Sequence, residues 1–276
     1  MDMEGKHMSR HFKLYLMGLM FIFILTTVAC NRNVTTDNNE INEPEKIEVQ
    51  AKDSIKLQFE NENFTFHSFD KDKECIEDLT KALDENYDTI TNNYKVSLKD
   101  KVKIVIYSNI DAFHNNMGMQ NSPDWVAGSA WRNEIYMVSP LNPGTVHTYD
   151  SLMKVIVHEF VHVVQYDIYP YNYPKRWLAE GLASYEAGQI PNKTIMKVKI
   201  DGGKIPTLSD MNSKNFAEND GYDFSYTVAE YLVKEYGYEP IIDMIKTPQK
   251  MEEILGKSLD EFEKDWINYL KENWGS

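Results

Sequence analysis

The segment His158-Glu159-Phe160-Val161-His162 places two imidazoles four residues apart, with a carboxylate beside the first. On a helix, residues four apart differ by about 40° in direction, so both rings project from one face. Two ring nitrogens placed this way can reach one metal ion at ~2.0–2.1 Å. Glu159 then stands beside the metal rather than on it, within reach of a water that the metal holds. A carboxylate in that place can take the water's proton during attack and pass it to a leaving group. The cation lowers the pKa of the water and polarises a substrate carbonyl. A catalytic zinc site needs a third protein ligand and an open position. Glu180, within Trp177-Leu178-Ala179-Glu180-Gly181-Leu182-Ala183-Ser184-Tyr185-Glu186, is expected to be that ligand. The residues thus point to one Zn2+ per chain on His158, His162 and Glu180, with Glu159 as general base.

These side chains need elements to hold them. SLMKVIVHEFVHVVQYD runs without Gly or Pro behind Asp150, a good N-cap, and predicts a helix. Its apolar residues Val155, Ile156, Phe160, Val161 and Val163 surround the histidines, which an exposed helix has little reason to do. YPYNYP breaks the run, and Pro174 suits the first turn of a second helix that stops near Gly188. After so short a turn the second helix should run back antiparallel to the first. The small residues Ala179, Gly181 and Ala183 allow close helix–helix approach. Glu186 is a candidate partner for the outer nitrogen of a histidine ligand, in competition with Ser184 and main-chain carbonyls.

Upstream, residues 54–59 and 62–67 alternate apolar and polar and predict a strand hairpin. Residues 72–93 carry Cys75, Ile76, Leu79, Leu83, Tyr87 and Ile90 at helical spacing. KVKIVIY (101–107) predicts a strand with Val102, Ile104 and Ile106 on one face, followed by a short helix around Asp111–Met117 and a strand over 131–138. Residues 189–221 read as irregular, and helices are expected at 223–236, 239–246, about 250–255 and 259–273. The fold class is α+β. A small N-terminal mixed sheet with helices and a mostly helical C-terminal subdomain are expected, with the histidine helix at the floor of a cleft between them.

HEFVH followed by WLAEGLASYE resembles the gluzincin metallopeptidases, the thermolysin and aminopeptidase-N superfamily, and within it the small peptidase-MA-like proteins. KVKIVIYSNIDAFHNNMG, SAWRNEIYMVSP, GYDFSYTVAEYLVKEYG and LGKSLDEFEKDWINYLKENW extend the resemblance over roughly residues 54–273. It implies a zincin-like fold, a His-His-Glu zinc site and hydrolysis of a peptide bond in an extended substrate. It also implies a tyrosine that holds the developing oxyanion; Tyr222 matches that position best, with Tyr226 as its rival. Residues 131–138 would, by the same resemblance, offer backbone hydrogen bonds to the substrate as an added strand. The family's glutamate-rich loop for a free amino terminus has no match, since GSAWRNE holds a single acid, Glu134. That departure speaks against aminopeptidase activity and favours an endopeptidase or a peptidase of another habit.

Lys6, Arg10 and Lys13, the apolar run 14–25 and Val28-Ala29-Cys30 describe an export signal ending in a lipobox-like cysteine. Residues 1–29 are expected to be a signal peptide and 30–47 a polar tether. Residues 48–276 are then the catalytic domain, lipid-anchored through Cys30 on the extracytoplasmic face of the cell membrane, or secreted without the lipid. Cys75 then has no disulfide partner and should pack on its helix. A formal net charge of −14 argues against nucleic acid as a partner. The partners expected are a peptide or protein substrate and the membrane, and the chain is expected to be a monomer. His67, His114 and His147 read as isolated residues. The five tryptophans read as packing residues, with Trp131 near the substrate. Two other readings remain: a non-catalytic surface binding protein, for which Glu159 has no use, and a metal hydrolase of a non-peptide amide or ester.

Overall fold

Alternating apolar residues build the first hairpin: β1 (Lys56–Glu60) pairs antiparallel with β2 (Phe64–Ser68), with a register shift between Leu57 and Phe59. The computed structural model describes residues 54–170 and 175–275, all within the unit Gln50–Ser276. The expected signal, tether and Cys30, and also Pro174, lie outside the described residues.

α1 (Ile76–Tyr94) carries the chain across to β3 (Val102–Tyr107), which lies parallel to β2. α2 (Ile110–Met117) then leads to β4 (Gly128–Trp131) and β5 (Glu134–Val138). The sheet order is β1-β2-β3-β5-β4, with β5 parallel to β3 and antiparallel to β4. β3 buries Val105 and Tyr107 as well as Val102, Ile104 and Ile106. It is a central strand covered on both faces, and Phe113 of α2 packs on Tyr107 with ring centroids 6.0 Å apart.

The single strand expected over 131–138 is two strands. Arg132 turns the chain at φ +54°, so β4 ends at Trp131 and β5 starts at Glu134. β5 lies between β3 and β4, so its backbone has no edge to offer a peptide; the edge belongs to β4. The Val138 amide donates to the Ala127 carbonyl at 2.9 Å. Residues of an antiparallel pair alternate between bonded and non-bonded positions. Ser129 and Trp131 therefore bond to β5, and Gly128 and Ala130 turn their N–H and C=O groups to the other side, where the Ala130 N–H meets Glu159 and the remaining three groups are open.

α3 (Tyr149–Ile168) is the expected histidine helix. Its N-cap is Thr148 rather than Asp150: the Thr148 hydroxyl accepts from the Ser151 amide at 3.1 Å, and Ser151 reciprocates. Asp150 falls in the first turn, where a negative charge suits the helix dipole. From Ile156 to Gln165 every residue is buried, as in a helix enclosed by neighbours on all sides. Phe160 stacks on Tyr87 of α1 at 5.5 Å and meets Phe64 of β2 edge-on at 5.8 Å.

α4 (Arg176–Glu186) runs antiparallel to α3: Gln165 reaches Ala179 near the start of α4, and Lys154 reaches Gly188 beyond its end. The close approach at Gly181 is to α6 (Gly221–Tyr236) instead of α3. A Cβ at Gly181 would lie 2.3 Å from the Ser225 carbonyl oxygen. The stretch expected to be irregular holds α5 (Lys193–Asp201), capped by the Asn192 side chain. Its buried side is only Met196 and Ile200, while Ile195 and Val198 are exposed. α7 (Tyr238–Lys246), α8 (Met251–Leu255) and α9 (Leu259–Trp274) complete the chain. α9 starts at a Ser258/Glu261 capping box and buries Trp266, whose indole N–H donates to Thr227 of α6 at 3.0 Å.

Candidate metal centre and active site

α3 presents both histidines toward α4, and three atoms converge. The Nε2 atoms of His158 and His162 are 3.1 Å apart, and Oε2 of Glu180 lies 3.3 Å from the first and 3.6 Å from the second. A tetrahedral ion with bonds of ~2.0–2.1 Å separates its ligands by about 3.3–3.4 Å, so the trio fits one zinc ion. The donor chemistry agrees with the spacing. His158 Nδ1 lies 2.9 Å from Gln189 Oε1 and His162 Nδ1 lies 3.0 Å from Gln165 Oε1. An amide oxygen only accepts, so each Nδ1 carries the proton and each Nε2 turns a lone pair inward. Two lone pairs and a carboxylate oxygen then face one another, an arrangement that requires a cation or a proton between them. Among the described residues these three form the group of His, Cys, Asp and Glu able to hold a metal.

The electrostatics follow. Burial disfavours the Glu180 anion, but in the metal-free chain, where a proton takes the cation's place between the three atoms, hydrogen bonding to His158 and His162 outweighs it and holds the carboxyl well below its usual range. Burial also opposes a charged His162, and hydrogen bonding to Glu180 reverses this, raising it to about 9. Glu159 moves the other way. It is 7% exposed, and burial pushes its carboxyl up against the opposing pull of His158 and His162. The Ala130 amide donates to its carboxylate, and the backbone at Gly128 passes so close that a Cβ would lie 2.7 Å from Glu159 Oε1.

His158 and Glu159 line a cavity of ≈ 290 Å³ with Gly128, Ser184, Gln189 and Tyr222. Tyr222, in the first turn of α6, stands between Phe216 (4.8 Å) and Trp125 (5.7 Å), both edge-on, and burial pushes its phenol above the ordinary range. Tyr226, one turn on, packs instead on Tyr185 and Trp274 at 5.6 and 6.0 Å, and burial raises its phenol to about 12. The structure therefore brings Tyr222 into the cavity with His158 and Glu159, and places Tyr226 away from it.

Several expectations are corrected. Glu186 does not reach a histidine; it accepts from the Tyr238 hydroxyl at 2.7 Å. The partners of the histidines are Gln165 and Gln189. Gln165 had a legible signal, three residues past His162 on the same helix, whereas Gln189 lies beyond the end of α4 and had none. Trp125, expected to be packing, is 38% exposed and lines the cavity. His147 also lines it, held by the Trp125 carbonyl at 2.9 Å. His114 is a satisfied core residue bonded to the Val126 carbonyl at 2.8 Å. Cys75 is fully buried and free, its Sγ 3.0 Å from the Asp72 carbonyl, and burial pushes its thiol up to about 12.

A model of the peptidase MA superfamily matches residues 85–272. Among solved structures, the chain is similar to an aminopeptidase N family protein from Idiomarina loihiensis, with 14% identity and a TM-score of 0.40. That match covers 78% of this chain and 42% of the other, so the chain spans less than half the length of that protein. A search of curated proteins finds no match. The family match spans α3, α4 and the His158, His162 and Glu180 cluster, and on it this chain belongs to the peptidase MA superfamily.

Proposed function

We propose that the chain is a zinc-dependent metallopeptidase that cleaves peptide bonds within an extended substrate. The observation that carries this reading is the convergence of His158 Nε2, His162 Nε2 and Glu180 Oε2 at 3.1–3.6 Å beside the buried carboxylate of Glu159. A zinc ion on that trio supplies a Lewis acid that polarises the scissile carbonyl and eases deprotonation of water. Glu159 takes the proton of the attacking water on its carboxylate and delivers it to the leaving amide nitrogen. The Tyr222 hydroxyl donates to the oxygen of the attacked carbonyl as negative charge develops there. Gln165 and Gln189 keep the two imidazoles in one tautomer and orientation. The open N–H and C=O of Gly128 and the C=O of Ala130 align the peptide backbone along β4, and Phe216 packs edge-on against Tyr222 to hold its ring.

The cell-surface location forms part of the proposal. It is supported by Lys6, Arg10 and Lys13, the apolar run 14–25 and Val28-Ala29-Cys30, with lipid on Cys30 as the anchor. Among the described residues no helix is long and apolar enough to cross a membrane.

Zinc content and peptide hydrolysis, measured together on residues 31–276, test the reading. The wild type should carry about one zinc and cleave peptides. Glu159→Gln should keep zinc and lose hydrolysis, and Glu180→Ala should bind zinc more weakly. Absence of stoichiometric zinc from the wild type sinks the proposal.

A further inference from the structure

Trp131 closes β4 and is 58% exposed, whereas Trp177, Trp266 and Trp274 are buried. Its ring is nevertheless held in place. Tyr166 of α3 meets it at 5.8 Å and 67°, and the Arg132 guanidinium lies 5.9 Å from its centre. Arg132 takes this position in a left-handed backbone conformation, φ +54°, where hairpin turns ordinarily use Gly, Asn or Asp. A glycine would make the same turn without strain. The residue actually present adds a cation against the indole, and strain kept beside a reactive centre points to a use.

The location supplies that use. Trp131 directly follows Ala130, whose amide meets Glu159, and Tyr166 lies one helical turn beyond His162. An extended chain advances about 3.3 Å per residue. A peptide paired with the open N–H and C=O of Gly128 and the C=O of Ala130 therefore carries a side chain past Trp131 within a residue or two of the bond at Glu159. An aromatic side chain arriving there meets a ring already fixed by Tyr166 and Arg132, and so loses little of the binding energy to ordering the protein.

We propose that Trp131, Tyr166 and Arg132 form a recognition subsite for an aromatic side chain of an extended peptide lying along the free edge of β4. This rests on the peptidase reading for the path of the peptide. The probe is a set of end-blocked hexapeptides in which one Phe is moved through an alanine background. Binding is measured by titration calorimetry on Glu159→Gln protein, with zinc in the buffer. Phe at one position should tighten Kd about tenfold over the all-alanine peptide. Trp131→Ala, a surface change that leaves no cavity, should abolish that preference. Arg132→Gly should reduce it while making the fold more stable, which a purely structural role for Arg132 does not predict. Equal affinity at all positions, no binding by any member, or a preference that survives Trp131→Ala each overturns the proposal. A Trp131-dependent preference alongside no hydrolysis by the wild type keeps the subsite and removes the peptidase reading. Hydrolysis with no Phe preference does the reverse.

Discussion

His162 Nδ1 and Gln165 Oε1 lie 3.0 Å apart on α3, and the other end of the same amide donates to the Ala179 carbonyl of α4 at 3.1 Å. One side chain thereby fixes the tautomer of His162 and ties its helix to the residue preceding Glu180. Gln165→Ala should weaken zinc affinity about 10–100-fold, read by competition with a chelator. An unchanged affinity would show that packing alone holds the imidazole.

Gly128 is where β4 touches the proposed general base. A Cβ there would sit 2.7 Å from both Glu159 Oε1 and Val155 Cγ1. Gly128→Ala should lower kcat roughly a hundredfold, as expected when a reacting group is displaced by about 1 Å. Zinc content should stay at the wild-type level, because the atoms nearest that Cβ belong to Glu159 and Val155 and to none of the three ligands. A variant with full kcat would mean that Glu159 has room to move without consequence.

Tyr222 and Tyr226 differ by one helical turn and face different neighbours. Tyr222→Phe should reduce kcat about 10²–10³-fold with a small change in KM, the cost of losing one oxyanion donor. Tyr226→Phe should leave kcat close to wild type. Equal effects from the two substitutions would remove Tyr222 from the mechanism.

Metal uptake should depend on pH in a direction set by His162. Without metal its pKa is raised to about 9, so at neutral pH the ring holds a proton that zinc must displace. Apparent zinc affinity should therefore rise with pH and level off above about 9. The stability of the metal-free protein should run the other way. The raised pKa contributes stability fully present below about 6.5, and this is lost as pH rises through 9. Zinc titrations and thermal melts of metal-free protein at pH 6, 7.5 and 9 measure both trends; parallel trends would contradict the assignment.

Gly181 lies where α4 and α6 come into backbone contact, 2.3 Å from Ser225 O for an added Cβ. Gly181→Ala should destabilise the fold by about 1–3 kcal/mol, measured by urea unfolding. It should also weaken zinc binding, since Glu180 is the neighbouring residue. A variant as stable as the wild type would show that the two helices separate easily.

What could be read in the sequence was whatever has a local period or spacing. The His158–His162 interval and the apolar run around it both act within a few helical turns. The N-cap was misplaced by two residues because Asp150 and Thr148 are both good caps, and only the Ser151 hydroxyl decides between them. α5 was missed because it buries just two residues and so carries almost no helical period. The break at Arg132 was hidden because an arginine in a left-handed turn leaves no turn signal of the usual kind. Gln189 is brought to His158 from beyond the end of α4 by tertiary packing, which a local pattern does not encode.

The four-residue length of β4 has a consequence for self-association. An unpaired strand edge invites other copies to add on and grow a fibre, and proteins limit this by keeping such edges short and interrupting them. Here the edge spans the four residues of β4 and ends at the Arg132 turn, so the ladder it offers is about 13 Å long at ~3.3 Å per residue. That is enough backbone to hold a stretch of about four residues in register, and too little to template an aggregate.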